Sequence, residues 1–169
     1  MIRHWWVAGA ALLCTNCRTL DRFDTTGDAA YCGSIVSAQF VRQGFPPDMR
    51  MRLELDMSQW ASRPGTITTD DAVSSPCAGK PRFDNAVMRA SDEVQNDVLS
   101  TLDFGTGRDE NLVVWVESTC DGPVLGVVSL MKNDTVEVRL LKPPPADGGE
   151  APAGFALFQL TRRSGDCGI

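Results

Sequence analysis

The stretch MRMRLELDM, residues 49–57, alternates apolar and charged side chains without exception. Methionine or leucine stands at every odd position, and arginine, glutamate or aspartate stands at every even position. A period of two places one set of side chains on each face of an extended strand. The pattern therefore predicts a β-strand with one buried and one wet face, within a fold that covers one side of a sheet.

Further stretches of the chain are typical of strands. Residues 124–131, VLGVVSLM, are apolar at successive positions, which indicates a central strand buried on both faces. The turn-forming stretches TCDGP (119–123) and KND (132–134) flank it and predict an antiparallel meander. The strands that we expect are 34–42, 49–57, 65–69, 98–104, 112–118, 124–131, 135–141 and 155–162.

The middle of the chain fits two kinds of structure. The spacing of Val87, Ala90 and Val94 allows at most a short helix near 85–95, and the even spacing of apolar residues in 98–104 favours a strand, so helix or strand stays open over 85–104. Seven to eight short strands with at most one short helix predict a mainly β protein. The expected architecture is a single antiparallel β-sandwich or small barrel.

The start of the sequence resembles a signal for export. Arg3 and the amino terminus precede an apolar run over 5–13, which is too short for a membrane span of about 20 residues. A positive start and a short apolar run are typical of a secretory signal. We expect residues 1–16 to be removed, 17–31 to form a flexible tether and 32–169 to form one domain.

The apolar run ends at Cys14-Thr15-Asn16-Cys17, which has two interpretations. A redox CxxC needs a helix beside a βαβ unit, and the β-rich pattern downstream supplies none. The arrangement also resembles a bacterial lipoprotein signal, in which a lipidated cysteine becomes the new amino terminus. Removal up to Cys17 leaves an even number of cysteines for pairing, so Cys17 is the expected lipidation site and Cys14 the alternative. Cleavage without a lipid stays open.

Four cysteines follow, at positions 32, 77, 120 and 167, and we expect them to form disulfides. The first and last strands of sandwiches and barrels are often neighbours. We therefore pair Cys32 with Cys167, and Cys77 with Cys120. The alternative, Cys32 with Cys77 and Cys120 with Cys167, closes shorter loops and stays open.

Composition excludes several classes of function. The chain has 16 basic and 22 acidic residues and a net charge of −6, so we expect no nucleic-acid partner. The single histidine, His4, lies in the predicted signal, which excludes histidine catalysis and histidine metal ligands in the exported chain. Paired cysteines leave no thiolate for zinc. We expect no cofactor and no metal site.

Local motifs fit structural roles better than functional ones. The carboxylates of 24–28 (DTTGD) and 68–71 (TTDD) lack the alternating spacing of a calcium loop. The Gly-x-Gly in 104–111 precedes a strand instead of a helix, so it predicts a hairpin loop. We expect Trp115 in the core. Trp60 either caps the end of the core or, exposed at a barrel mouth, binds a sugar or an apolar ligand.

Six segments between residues 31 and 168 carry a broader similarity. They are YCGSIVSAQFVRQGF, MRMRLELD, RPGTITTDD, DVLSTLDFG, VVSLMKNDTVEVRLL and the closing CG. Together they resemble a set of small predicted lipoproteins of myxobacteria. The resemblance implies an envelope location and a single domain, and it assigns no catalytic or binding residue.

These observations predict a non-enzymatic envelope lipoprotein, a binding or structural module held at the membrane by its lipid. We expect it at the outer membrane, or otherwise in the periplasm, and its ligand residues stay unknown. One alternative is a small-ligand carrier with an apolar barrel interior, which needs a cavity of about 300 Å³ or more. Another is a hydrolase that uses carboxylates alone, with two converging acids in a cleft.

Overall fold

The computed structural model describes residues 29–36, 42–43, 45–70, 83–91, 108–118, 122–131, 133–142, 154–165 and 167–169. The strands in these residues are Ala29–Ile35 (β1), Arg42–Gln43 (β2), Arg50–Leu55 (β3), Gly65–Thr69 (β4), Ala86–Ala90 (β5), Arg108–Val116 (β6), Val124–Met131 (β7), Thr135–Lys142 (β8) and Gly154–Arg162 (β9). A 3-10 turn, Met57–Gln59, follows β3.

The strands form one closed antiparallel barrel. From β3 to β9 each strand pairs with the next along the chain, and β1 pairs with both β3 and β9. The β1–β9 ladder, from Tyr31 opposite Arg162 to Ile35 opposite Phe158, is the seam that closes eight strands. The short β2 extends the β1 side of this ladder by pairing with β9. The predicted mainly β fold is confirmed, in the form of the barrel.

The alternation of β3 continues around the barrel. Met51, Leu53 and Leu55 are at most 2 % exposed and belong to the core, while Arg50 and Glu54 lie on the outer surface. The strand β7 is buried along most of its length and pairs with β6 and β8. The predicted central strand and the predicted meander of β6, β7 and β8 are therefore confirmed.

One apolar core occupies the barrel interior. Its largest fully buried side chains include Tyr31, Phe83, Phe158, Met49, Met51, Leu53, Ile67, Met88, Leu130, Leu140 and Leu160. Side chains with no exposed area adjoin no space that a water molecule can occupy. An eight-stranded barrel is just wide enough to be filled by side chains or to hold one small ligand. The described part of this interior is filled by side chains.

Two glycines permit close approaches between neighbouring strands. A Cβ atom added at Gly33 would overlap with the backbone carbonyl of Gln159 on β9, and one at Gly65 would overlap with that of Glu54 on β3. Gly65 also has a φ of +145°, which side chains rarely adopt. Glycine at these sites lets the sheet curve enough to close.

The short helix that the sequence allowed near 85–95 is not formed by the described part of that range. Residues 86–90 form β5, which pairs with β4 through Ala86 and with β6 through Ala90. Ala86 and Met88 face the core, so the segment follows the period of a strand. Pairing on both sides outweighs a weak helical spacing. The strand predicted over 98–104 lies outside the described residues.

The predicted boundary at the start of the domain also needs correction. The first strand begins at Ala29, inside the range predicted as a tether (17–31), and Tyr31 is fully buried. The strand predicted over 34–42 is divided, because β1 ends at Ile35 and β2 begins at Arg42. The small residues Ala29, Ala30 and Gly33 do not show a clear alternation of apolar and polar side chains, so the sequence did not predict that β1 begins at Ala29.

Candidate functional site

Trp60 is partly buried and packs against the core. It follows the 3-10 turn between β3 and β4, and its indole N–H donates a 2.7 Å hydrogen bond to Oε1 of Glu110 on β6. Asp56 caps the turn by accepting a 3.0 Å hydrogen bond from the backbone N–H of Ser58. Of the two roles considered for Trp60, the structure shows the cap of the core.

A polar cluster connects the seam with the turn between β7 and β8. The hydroxyl of Tyr31 donates to Oδ1 of Asp134 at 3.1 Å, and Nε of Arg162 donates to the Tyr31 hydroxyl oxygen at 3.3 Å. Arg162 also lies 3.3 Å from Oδ2 of Asp134. Burial is the main reason that the pKa of Tyr31 rises to about 12. These contacts hold together three parts of the chain that are distant in sequence.

The titration of Tyr31 is the first testable prediction, because the sequence contains a single tyrosine. A folded-state pKa of about 12, against an ordinary tyrosine pKa of 10.0, means that the folded state disfavours tyrosinate. The free energy of unfolding carries no penalty from Tyr31 below pH 10, and it falls by up to about 3 kcal/mol as the pH rises through 10 towards 12. Absorbance at 295 nm is expected to titrate near 12 in the native protein and near 10 in denaturant. Equal midpoints in both states would contradict the burial argument.

Trp115 lies on the outer surface, which corrects its expected place in the core. The interior positions of β6 are Leu112, Val114 and Val116. Trp115 alternates with them and stands in register with an outward row on the next three strands, Leu125, Leu141 and Phe155. The stretch LVVWV contains no polar residue at either parity, so its sequence did not show which side chains point inward.

A second outward row is covered by protein atoms. Val113 and Val127 are fully buried although they lie outside the interior core cluster. Beside them, Arg139 lies 2.8 Å from a carboxylate oxygen of Glu137, and both side chains are 14 % exposed. This part of the outer face is a packed layer, so it does not offer an open binding surface.

The disulfide between Cys32 and Cys167 lies at the outside of the seam. The two Cα atoms are 5.7 Å apart across a sequence separation of 135 residues. The backbone N–H of Arg163 donates a 2.9 Å hydrogen bond to the carbonyl of Ala30. The segment after β9 is therefore held against β1, and the structure contains the predicted pairing.

The other cysteines with predicted roles lie outside the described residues. These are Cys14 and Cys17, the candidate lipidation sites, and the predicted pair Cys77 and Cys120. Their roles stay predictions.

An open cleft of about 410 Å³ lies beside this disulfide. We call it the seam cleft. Its walls are Cys32 and Ser34 of β1, Arg50 and Met51 of β3, and Arg163 and Ile169 of the segment after β9. These residues come from three separate parts of the chain, so no local motif in the sequence pointed to the site.

Arg50 of the seam cleft is held in place by Asp70. The carboxylate of Asp70 accepts one hydrogen bond from the backbone N–H of Arg50 and one from its Nε, both of 2.9 Å. The described part of the acidic stretch TTDD (68–71) thus has a structural role, as its spacing predicted.

A second open cleft, of about 340 Å³, lies on the outside of β3, β4 and β5. Its carboxylates are Glu54, which pairs with Arg52 at 2.6 Å, and Asp56, which caps the 3-10 turn. Hydrogen bonds from Ser58 are the main reason that the pKa of Asp56 lies below its usual value. A general acid needs a raised pKa instead, so Asp56 does not suit acid catalysis.

No family model, curated protein or solved structure matches this chain. The similarity to predicted lipoproteins of myxobacteria stays a prediction.

Within the described part of the chain, no group of three or more histidine, cysteine, aspartate or glutamate side chains is placed to hold a metal ion. No helix in that part is long and apolar enough to cross a membrane.

Proposed function

We propose that this chain is an exported, non-enzymatic module of the cell envelope, in which the barrel serves as a scaffold and binding takes place on the outer surface. The observation that carries the proposal is a barrel whose described interior is packed with buried apolar side chains and whose seam is closed by a surface disulfide. The packed core gives a rigid support, and the open clefts lie outside it.

Two features support export. Disulfides persist in oxidising compartments such as the periplasm, and the Cys32–Cys167 bond is compatible with that location. Residues 1–16 have the composition of a secretory signal that ends near a cysteine. We propose that Cys17 carries a lipid after residues 1–16 are removed, with Cys14 as the alternative, and that the lipid holds the barrel at the outer membrane.

The filled interior favours this proposal over a carrier. A carrier of a small ligand needs an internal cavity of about 300 Å³ or more, with a mouth that opens to solvent. Most of the described core side chains have no exposed area, and Trp60 packs against this core. The carboxylate-only hydrolase gains no support from the described clefts, where Asp56 has a lowered pKa.

Metabolic labelling with palmitate tests the export proposal. The gene is expressed in a Gram-negative host as wild type, as Cys17→Ala and as Cys14→Ala, and the cells are fractionated. We expect labelled wild type and labelled Cys14→Ala in the envelope fraction, with residues 1–16 absent by mass spectrometry. Label should be lost in Cys17→Ala.

Two outcomes would correct this proposal in different ways. An unlabelled wild type that stays in the cytoplasm with residues 1–16 intact would refute export. Label that persists in Cys17→Ala and disappears in Cys14→Ala would move the lipid to Cys14 and leave export in place.

A further inference from the structure

We infer that the seam cleft is a binding site for a compact anionic group, a carboxylate or a phosphate, that carries a short apolar substituent. This inference deepens the proposed binding role by naming a place and a ligand class. It rests on the charges, the shape and the fixed walls of the cleft.

The charges of the cleft favour an anion. Arg50 and Arg163 are its charged side chains, and no carboxylate side chain belongs to its walls. Asp70 engages Arg50 through Nε, which leaves the terminal nitrogens of that guanidinium for a ligand. Arg163 is exposed, and no described carboxylate pairs with it.

Two arginines provide the geometry that oxyanions require. A guanidinium offers parallel N–H donors that match the oxygens of a carboxylate or a phosphate. The exposed hydroxyl of Ser34 adds a neutral donor on the same wall. Because Asp70 orients the side chain of Arg50, part of the entropy cost of binding is met before the ligand arrives.

The remaining walls are apolar and fixed. The side chain of Ile169 and the Cys32–Cys167 disulfide contribute surface without charge, while the side chain of Met51 lies in the core behind this wall. The disulfide and the hydrogen bond from Arg163 to Ala30 hold the segment after β9 in place over β1. A volume of about 410 Å³ lies within the usual range for small-molecule sites, about 300–1,000 Å³. A group with both an anionic and an apolar part uses both kinds of wall.

Titration of the purified, oxidised protein with four probes tests the inference. Hexanoate and hexyl phosphate carry both features, acetate carries the charge alone, and hexanol carries the apolar chain alone. Amide chemical shifts in NMR spectra report where each probe binds. We expect saturable shifts for hexanoate, hexyl phosphate or both, centred on Ser34, Met51 and Gly168, with much weaker binding of acetate and hexanol. The tighter of the two anions identifies the headgroup.

Arg163→Gln is the test variant and Arg63→Gln its matched control. Both arginines are exposed, but Arg63 lines the second cleft, beside the carboxylates of Glu54 and Asp56. Arg163→Gln is expected to weaken binding about tenfold, as the loss of a charge-assisted hydrogen bond does. Arg63→Gln should change the affinity less than twofold, and both variants should keep the wild-type melting temperature.

Several results would overturn the inference. They are the absence of saturable shifts at these amides, equal binding of hexanol and hexanoate, and equal loss of affinity in the two variants. None of these results bears on the outcome of the palmitate experiment. Likewise, a chain that stays in the cytoplasm would refute export but would not affect ligand binding in the seam cleft. The two proposals therefore fail independently.

Discussion

Gly33→Ala is expected to destabilise the barrel by about 3 kcal/mol or more, or to prevent folding. A Cβ atom at this position overlaps with the carbonyl of Gln159, and backbone atoms cannot move aside as a flexible side chain can. Strands β1 and β9 must then separate at the seam. Urea unfolding followed by tryptophan fluorescence measures the change in free energy.

Gly165→Ala is the matched control for this substitution. A Cβ atom at Gly165 has no neighbour within 4 Å, and the residue is exposed on the segment after β9. Its effect should stay within about 0.5 kcal/mol, as for most surface substitutions. If Gly33→Ala were equally harmless, the close approach of β1 and β9 at Gly33 would not be needed to close the barrel.

The strands with strict alternation or with apolar runs between turns were predictable from the sequence. The strand β3 alternates charged and apolar residues, and β7 lies between two turn signals. Both signals are local, since they depend on the period of one strand and on the residues that end it. For the same reason the sequence predicts the meander β6–β7–β8, although it does not give the register between these strands.

The choice between a sandwich and a barrel was not predictable, because closure depends on contacts between distant parts of the chain. The seam joins β1 to β9 and depends on the close approach at Gly33, which has no signature in sequence. The five residues of β5 were too few to separate a strand period from a helical one. Trp115 lies among valines, so its outward direction is set by the ladders to β5 and β7.

The candidate site was predictable only through its disulfide. Pairing Cys32 with Cys167 followed from the expectation that first and last strands are neighbours, and the structure contains that bond. Arg50 and Arg163 are far apart in sequence and meet only because the barrel closes. The packing of Trp60 against the core and its hydrogen bond to Glu110 depend on contacts between distant parts of the chain, which the sequence does not give. Long-range topology thus decides the composition of the seam cleft.

Removal of the seam disulfide is expected to cause the other large loss of stability. Its cysteines are separated by 135 residues, and in the chain-entropy model a loop of this length contributes roughly 5 kcal/mol. Typical domains are stable by only about 5–15 kcal/mol, so the loss is a large share of the total. Cys32→Ser with Cys167→Ser should lower the melting temperature by roughly 10 °C or more.

Reductant and peptide mapping decide whether this bond is the cause. Wild type in reductant should melt close to the reduced double-serine variant, because both then lack the covalent link across the seam. In the oxidised double variant, any further effect of reductant reports the predicted Cys77–Cys120 bond alone. Non-reducing peptide mapping of the envelope protein should yield a peptide that joins Cys32 to Cys167. A peptide that joins Cys32 to Cys77 or to Cys120, or free thiols at Cys32 and Cys167, would refute the assignment. Without a disulfide across the seam, reductant would have no bond to break there and could not cause the expected loss of stability.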